Sequence, residues 1–341
     1  MGVYCDIGVN APPTGAFGPG SVVSGAVQYA IEDNTPVDQI IITLNGTETL
    51  SIRKSDSKPQ DSRHYHGNEI IVNFAAVVKH NQTTGGQLNR AEFSFVLPNN
   101  APSSMKFTGR HGSYSGTCNI IYNIQAVFTV SGRLSFNKKF EKEIRVVSSA
   151  ITPKLPTNPM TRGETKKLFQ PFRRGKSIVS IKATIQNSVI LPGGRVEIAY
   201  EIQNNTNLTI RAIEAKLMEA YNFYAYGIHI VEMAQDVPSM FFKRGALESG
   251  ETFSTTTTVV LPQYVHNIDN AKLVKRSYFF LITAELPTPH FDAKLLIPIQ
   301  VGHPYNMVYE SHPTEVPGTS YHHQDPPPSY WQSTKDMEKS S

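Results

Sequence analysis

Short stretches in which apolar and polar residues alternate recur along the chain as far as residue 302. Residues 23–31, 122–130 and 196–202 carry Val, Ile, Tyr, Phe or Ala at most of their alternate positions. A period of two places these side chains on one face of a β-strand, so each stretch predicts a half-buried strand. Turn signals such as Gly18-Pro19-Gly20 and Asn45-Gly46 fall between the stretches. The pattern predicts an all-β protein made of sandwiches.

Only two segments approach the spacing of an amphipathic helix, residues 88–93 and residues 210–221. The second is long enough to be ambiguous. Its flanking sequences, NNTNLT and YNFYAYG, are typical of strand boundaries. We therefore interpret it as a strand.

The two halves of the chain repeat the same landmarks in the same order. Residues 19–37 and 192–208 each begin with Pro-Gly, continue as an alternating strand and reach an Asn-Thr turn. FSFVLP at 93–98 corresponds to TTVVLP at 257–262. An alternative is that any two β domains share such turns, but the shared order favours two tandem copies of one sandwich.

A length of 341 residues exceeds the usual size of one domain. We predict an N-terminal sandwich over residues 1–148 and a C-terminal sandwich over residues 177–302. Prolines at 153, 156, 159 and 171 interrupt residues 149–176, which predicts an interdomain linker. Residues 303–341 are polar and proline-bearing, which predicts a flexible tail.

Composition excludes several classes of protein. The net charge of +4, from 32 basic and 28 acidic residues, is too small to indicate nucleic-acid binding. Cys5 and Cys118 are too few for a disulfide framework and fit a reducing compartment. No signal peptide and no uninterrupted apolar stretch of about 18 residues is present, so we expect a protein that is neither exported nor membrane-spanning.

The tail contains a short peptide motif, Pro327-Pro328-Ser329-Tyr330, of the PPxY type. Consecutive prolines favour the polyproline II conformation, so such a peptide loses less entropy when it binds. WW domains bind these segments in aromatic grooves, and Pro327, Pro328 and Tyr330 are the residues they would contact. The alternative is a proline-rich spacer without a partner.

A basic cluster occupies the predicted linker, interleaved with Phe169 and Phe172. Its members are Arg162, Lys166, Lys167, Arg173, Arg174 and Lys176. Contact with acidic phospholipid headgroups is one interpretation, most directly for Lys166, Lys167, Arg173, Arg174 and Lys176. A solvated linker whose phenylalanines pack on the C-terminal sandwich is the other, and we favour it.

Catalytic and metal-binding motifs are missing from the sequence. We find no Gly-x-Ser-x-Gly, no His-Glu-x-x-His and no phosphate-binding glycine loop before a helix. His64 and His66 flank Tyr65 in what we interpret as an exposed polar loop, without further ligands at metal-binding spacing. We expect no enzyme activity, no metal and no cofactor.

These residues together resemble the arrestins, and the α-arrestins in particular. The N-terminal half is similar through PGSVVSGAVQY, IIITLNGTETL, FSFVLPNNAPSS and IIYNIQAVF. The C-terminal half is similar through ATIQNSVILPGGRVEIAYEIQNNTNLTI, TTVVLPQYV and ELPTPHFDAKLLIPIQVG. A PPxY element in the tail is the feature that separates α-arrestins from visual and β-arrestins.

The resemblance implies an adaptor. The PPxY motif would recruit a HECT-type E3 ubiquitin ligase through its WW domains, while the arrestin body holds a membrane receptor or transporter for ubiquitination, endocytosis and sorting. It also implies a cytoplasmic protein, peripheral at the plasma membrane and endosomes. The alternatives are a receptor-binding signalling arrestin or a trafficking-coat scaffold that acts without a ligase. An extracellular adhesion module is opposed by the missing signal peptide and the cysteine usage.

Overall fold

The structure is a computed structural model that describes residues 2–32, 37–55, 62–79, 87–130, 137–168 and 177–304. Within these ranges every regular element is a β-strand, and the strands form two tandem sandwiches, which confirms the predicted fold class. The strands of the N-terminal sandwich are β1 (Val3–Val9), β2 (Val22–Ile31), β3 (Val37–Lys54), β4 (Arg63–Lys79), β5 (Asn89–Val96), β6 (Met105–His111), β7 (Tyr114–Val130) and β8 (Lys138–Ile144).

Two antiparallel sheets build the N-terminal sandwich. One has the order β1-β2-β5 and the other β4-β3-β7-β6, with β8 paired to the second half of β7. Alternate residues of β3, beginning with Ile40, Ile42 and Leu44, are fully buried between the sheets. The period-two pattern of the sequence is therefore the pattern of the core.

Eleven further strands follow in the described residues. They are β9 (Ala150–Ile151), β10 (Met160–Lys167), β11 (Ile178–Ile185), β12 (Val189–Ile190), β13 (Arg195–Asn205), β14 (Ala212–Ala225), β15 (Ile228–Arg244), β16 (Thr252–Val260), β17 (Val274–Glu285), β18 (Ala293–Val301) and β19 (His303–Pro304). The C-terminal sandwich packs a β10-β11-β13-β16 sheet against a β12-β18-β17-β14-β15 sheet. The ambiguous segment 210–221 contributes most of β14, as predicted.

The internal repeat is also structural. Strand β2 pairs with β5 in the first sandwich, and β13 pairs with β16 in the second. The Leu97 amide donates to the Ser21 carbonyl at 3.0 Å, and the Leu261 amide donates to the Gly194 carbonyl at 2.9 Å. Each Leu-Pro ending thus closes on the Pro-Gly turn of its own copy.

Two local predictions were wrong. Asn45-Gly46 is not a turn but lies inside β3, beside a β-bulge between Gly46 and Thr47. Glycine is needed there because a Cβ would lie 2.6 Å from the Tyr122 ring. His64 and His66 belong to β4 rather than to a loop, and their rings stack 6.1 Å apart.

The predicted linker also contains two strands, the short β9 and the longer β10. Residues 160–167 form β10, which pairs along its full length with β11 at the edge of the C-terminal sandwich. All of its residues except Met160 and Lys166 are exposed, so the segment lacks an apolar pattern although its backbone is paired. The first two residues of the predicted tail are likewise in a strand, β19.

Among the described residues, no helix is long and apolar enough to cross a membrane.

Candidate functional site: the joint between the sandwiches and the origin of the tail

The predicted WW-binding residues Pro327, Pro328 and Tyr330 lie outside the described residues. The structure describes only the first two residues of the predicted tail, His303 and Pro304. Strand β19 pairs in parallel with β9, and the His303 amide donates to the Ser149 carbonyl at 2.6 Å. The tail therefore begins on the segment that joins the two sandwiches.

The separation between that origin and the motif sets a geometric limit. The sequence places 22 residues between Pro304 and Pro327. A fully extended chain of this length spans at most about 80 Å. A domain bound to the motif would thus lie within about 80 Å of the joint.

Two of the predicted lipid-contacting residues are described. Lys166 and Lys167 end β10, whereas Arg173, Arg174 and Lys176 lie outside the described residues. The Lys166 Nζ donates to the Asp292 carbonyl at 3.2 Å and lies 5.8 Å from the centroid of the Phe291 ring. Phe291 is 83% exposed in the β17–β18 connection. The structure therefore adds an exposed aromatic ring to the two lysines, which the sequence did not predict.

A buried carboxylate joins the sandwiches. Glu48 on β3 is 1% exposed, and its two oxygens accept three backbone N–H groups from the C-terminal sandwich. The donors are the amides of Lys272 (2.9 Å), Leu273 (2.7 Å) and Val274 (3.0 Å). Burial raises the pKa of Glu48 above its ordinary value, and these N–H groups together with Lys275 oppose that rise. Three donors satisfy a carboxylate that would otherwise be costly to bury.

Apolar packing surrounds this contact. The Phe107 ring of β6 lies 4.5 Å from that of Tyr221 and 5.0 Å from that of Phe223, both on β14. Leu273 fits against Gly67, where a Cβ would lie 2.8 Å from the leucine side chain. Residues from the C-terminal sandwich therefore complete the core of the N-terminal one.

Beside the joint lies an open cleft of about 860 Å³ lined by both sandwiches. Lys272 and Glu69 form an ion pair across it at 2.8 Å, and this hydrogen bond raises the pKa of Lys272 above its ordinary value. Tyr226, at the tip of the β14–β15 hairpin, is 84% exposed and has a φ of 54°. Gly227, with a φ of 76°, completes this two-residue turn, and positive φ at both positions is the usual geometry of such a hairpin.

A second groove, of about 450 Å³, crosses the outer face of the five-stranded sheet. Phe279, Leu296 and Pro298 line it together with Lys154 and Arg162. Gln300 holds the adjoining chain, because its Oε1 accepts the amides of Lys154 at 2.6 Å and of the next residue at 3.1 Å.

Neither cysteine has the environment of a nucleophile. Burial, then the charge of Asp6, raises the pKa of Cys5 to about 11. Burial, then the Glu48 carboxylate, raises the pKa of Cys118 to about 12. Both thiols are protonated at neutral pH, so they lack the activation that catalysis requires. In the ranges that the structure describes, no cluster of three or more His, Cys, Asp or Glu side chains is arranged to hold a metal.

The comparison with family models identifies both halves of the body. Residues 5–152 match the model described as arrestin (or S-antigen), N-terminal domain, and residues 175–306 match the corresponding C-terminal domain. A search of curated proteins finds no match. Arrestin-family proteins are generally non-enzymatic adaptors or trafficking scaffolds. The two matches together cover most of the chain, and the protein therefore belongs to the arrestin family.

Proposed function

We propose that this protein is an α-arrestin-type adaptor that links membrane cargo to WW-domain HECT-type E3 ubiquitin ligases. The observation that carries the proposal is the PPxY motif, Pro327-Pro328-Ser329-Tyr330, in the tail of an arrestin-family body. The body would hold a receptor or transporter, and the tail would hold the ligase. The outcome would be ubiquitination, endocytosis and sorting of the cargo.

Each residue of the motif has a separate role in this proposal. Pro327 and Pro328 restrict the backbone to φ near −65° and stack on the aromatic groove of a WW domain. Tyr330 enters the adjacent pocket and contributes the largest apolar area. Ser329 is the variable position and serves as an internal control.

The adaptor would then accelerate ubiquitination by holding the ligase close to the cargo. The ligase performs the chemistry, and the adaptor raises its effective concentration near the lysines of the cargo. The origin of the tail at Pro304 and the limit of about 80 Å confine the ligase to the neighbourhood of the body. The cleft of about 860 Å³ and the groove of about 450 Å³ are the surfaces we propose for cargo.

The proposal places the protein in the cytoplasm, peripheral at the plasma membrane and endosomes. Lys166 and Lys167 would contact acidic headgroups, together with Arg173, Arg174 and Lys176. The exposed Phe291 ring beside Lys166 supports this part, because an aromatic ring flanked by cations suits the membrane interface.

Isothermal titration of the full chain with a WW domain of a HECT-type ligase tests the ligase link. We expect saturable binding by the wild type and by Ser329→Ala, and binding at least tenfold weaker by Tyr330→Ala. A tenfold loss corresponds to about 1.4 kcal/mol, which burial of one large apolar side chain, at about 1.5 to 3 kcal/mol, is enough to supply. Equal binding by all three proteins, or none, would instead favour a signalling arrestin or a coat scaffold that acts without a ligase.

A further inference from the structure

The C-terminal sandwich contains a cavity between its two sheets. Its volume is about 260 Å³, and it is lined on one side by Ile198 and Tyr200 of β13 and on the other by Phe280 and Ile282 of β17. Protein cores are normally packed as densely as organic crystals, with few voids larger than a water molecule. This cavity is partly open, since the exposed Val260 also lines it, and a space of this size between two packed sheets requires an explanation.

Small side chains on two strands create the space. Ala215 on β14 and Thr257 on β16 both line the cavity, at positions where longer side chains would fill it. Strand β16 is the last in the order β10-β11-β13-β16, so the cavity lies beside the edge of its sheet. A ligand would have an entry path along this edge.

The lining is mostly apolar, and its three hydroxyl-bearing residues are Tyr200, Thr257 and Thr258. Tyr200 is 3% exposed, and no atom of the described residues meets hydrogen-bond geometry with its hydroxyl. Burial raises the pKa of Tyr200 to about 12, and the nearby Thr257 hydroxyl offsets only part of that rise. Buried hydroxyls nearly always have a partner, and a ligand oxygen in the cavity would offer Tyr200 a better-aligned acceptor than the Thr257 hydroxyl does.

The lining restricts the chemistry of that ligand. Among the residues that the structure describes, no charged side chain lines the cavity, which disfavours a phosphate, a carboxylate or a cation. Apolar cavities of about 150 Å³ bind benzene, so a proportionate volume of 260 Å³ accommodates about ten carbon atoms.

We propose that this C-sandwich cavity binds a neutral acyl chain of about ten carbons, whose carbonyl oxygen accepts a hydrogen bond from Tyr200. The ligand is an acyl ester or thioester, as found in a membrane lipid or on an acylated cysteine. This site is independent of the tail and of its ligase. It would allow the body to recognise a lipid-modified or lipid-associated cargo directly.

Calorimetric titration of the full chain with methyl decanoate tests the proposal. Ala215→Leu fills the cavity and is expected to weaken binding at least tenfold. The matched control is Ala199→Leu, on the opposite face of β13, which should bind as the wild type does. Tyr200→Phe removes one hydrogen bond and should weaken binding about fivefold. Sodium decanoate should bind less tightly than the ester, because a carboxylate would be buried without a cation.

A measurement on the wild type keeps the proposal testable if Ala215→Leu fails to fold. Nuclear Overhauser contacts between the decanoyl chain and the Ile198 and Ile282 methyl groups would support it. Contacts to Ile42 and Ile124 in the N-terminal sandwich, no saturable binding, or equal binding by Ala215→Leu would overturn it. Comparison of S-decanoylcysteine peptide with didecanoylphosphatidylcholine then identifies which source of the acyl chain is preferred.

Discussion

Replacing Glu48 by alanine removes the carboxylate that joins the two sandwiches. Three backbone N–H groups, those of Lys272, Leu273 and Val274, lose their acceptor. Because Glu48 is 1% exposed, the donors remain shielded from solvent unless the joint opens. The substitution therefore tests whether this buried contact stabilises the arrangement of the body.

The expected loss is about 3 to 5 kcal/mol in the free energy of unfolding. A buried donor without an acceptor costs about 1 to 3 kcal/mol, so three such donors cost at least about 3 kcal/mol, while removal of a buried carboxylate keeps the total towards the low end of the range. For a body of this size each kcal/mol lowers Tm by about 2 to 4 °C, so we expect a fall of about 10 °C. Glu48→Gln keeps one acceptor oxygen and should lie between the wild type and Glu48→Ala.

Urea denaturation and amide hydrogen exchange are the assays. The control is Glu69→Gln, which breaks the ion pair with Lys272 on the surface and should cost less than 1 kcal/mol. In Glu48→Ala the amides of residues 272–274 should exchange faster, while those of β11 and β13 should change less. The reasoning is refuted if Glu48→Ala unfolds at the same urea concentration as Glu69→Gln, or if those three amides keep their protection.

Further predictions concern pH, packing and lipid. In the folded protein, burial and then the charge of Arg276 lower the pKa of His266 to about 4 from 6.5. As the pH falls, the unfolded state therefore binds a proton at this histidine before the folded state does. The free energy of unfolding should fall by up to about 3 kcal/mol between pH 6.5 and pH 4, and in His266→Gln that fall should be smaller. Gly67→Val should destabilise the body by about 2 kcal/mol, because its side chain would displace Leu273. Phe291→Asp should weaken binding to phosphatidylserine vesicles in co-sedimentation about fivefold, whereas Tyr264→Asp, at another exposed aromatic position, should not.

The strands of the core were predictable because burial on one face imposes a period of two. Strand β10 was not, because it lies at a sheet edge and contributes backbone pairing without an apolar face. The turn predicted at Asn45-Gly46 was wrong because the sequence does not show which side chains surround the glycine. Glycine next to asparagine usually marks a turn, but here it is required by the approach of the Tyr122 ring within a continuous strand.

The parts of the candidate site also differ in how far they can be predicted from the sequence. The PPxY motif is contiguous in sequence and can be read without a structure. The joint cannot, because Glu48 and its donors are more than 220 residues apart. One signal was nevertheless present, since Glu48 occupies an inward position in the alternation of β3, between Leu44 and Leu50. An acidic residue on a buried face indicates a partner from elsewhere in the fold.

The central claim is that the body holds cargo and the tail supplies the ligase, and proximity labelling combined with ubiquitin-remnant proteomics tests it most directly. Cells would express the wild type or Tyr330→Ala, each fused to a labelling enzyme. We predict that both proteins label the same membrane proteins, and that these carry less ubiquitin in cells with Tyr330→Ala. Unchanged ubiquitination of the labelled proteins would contradict the account.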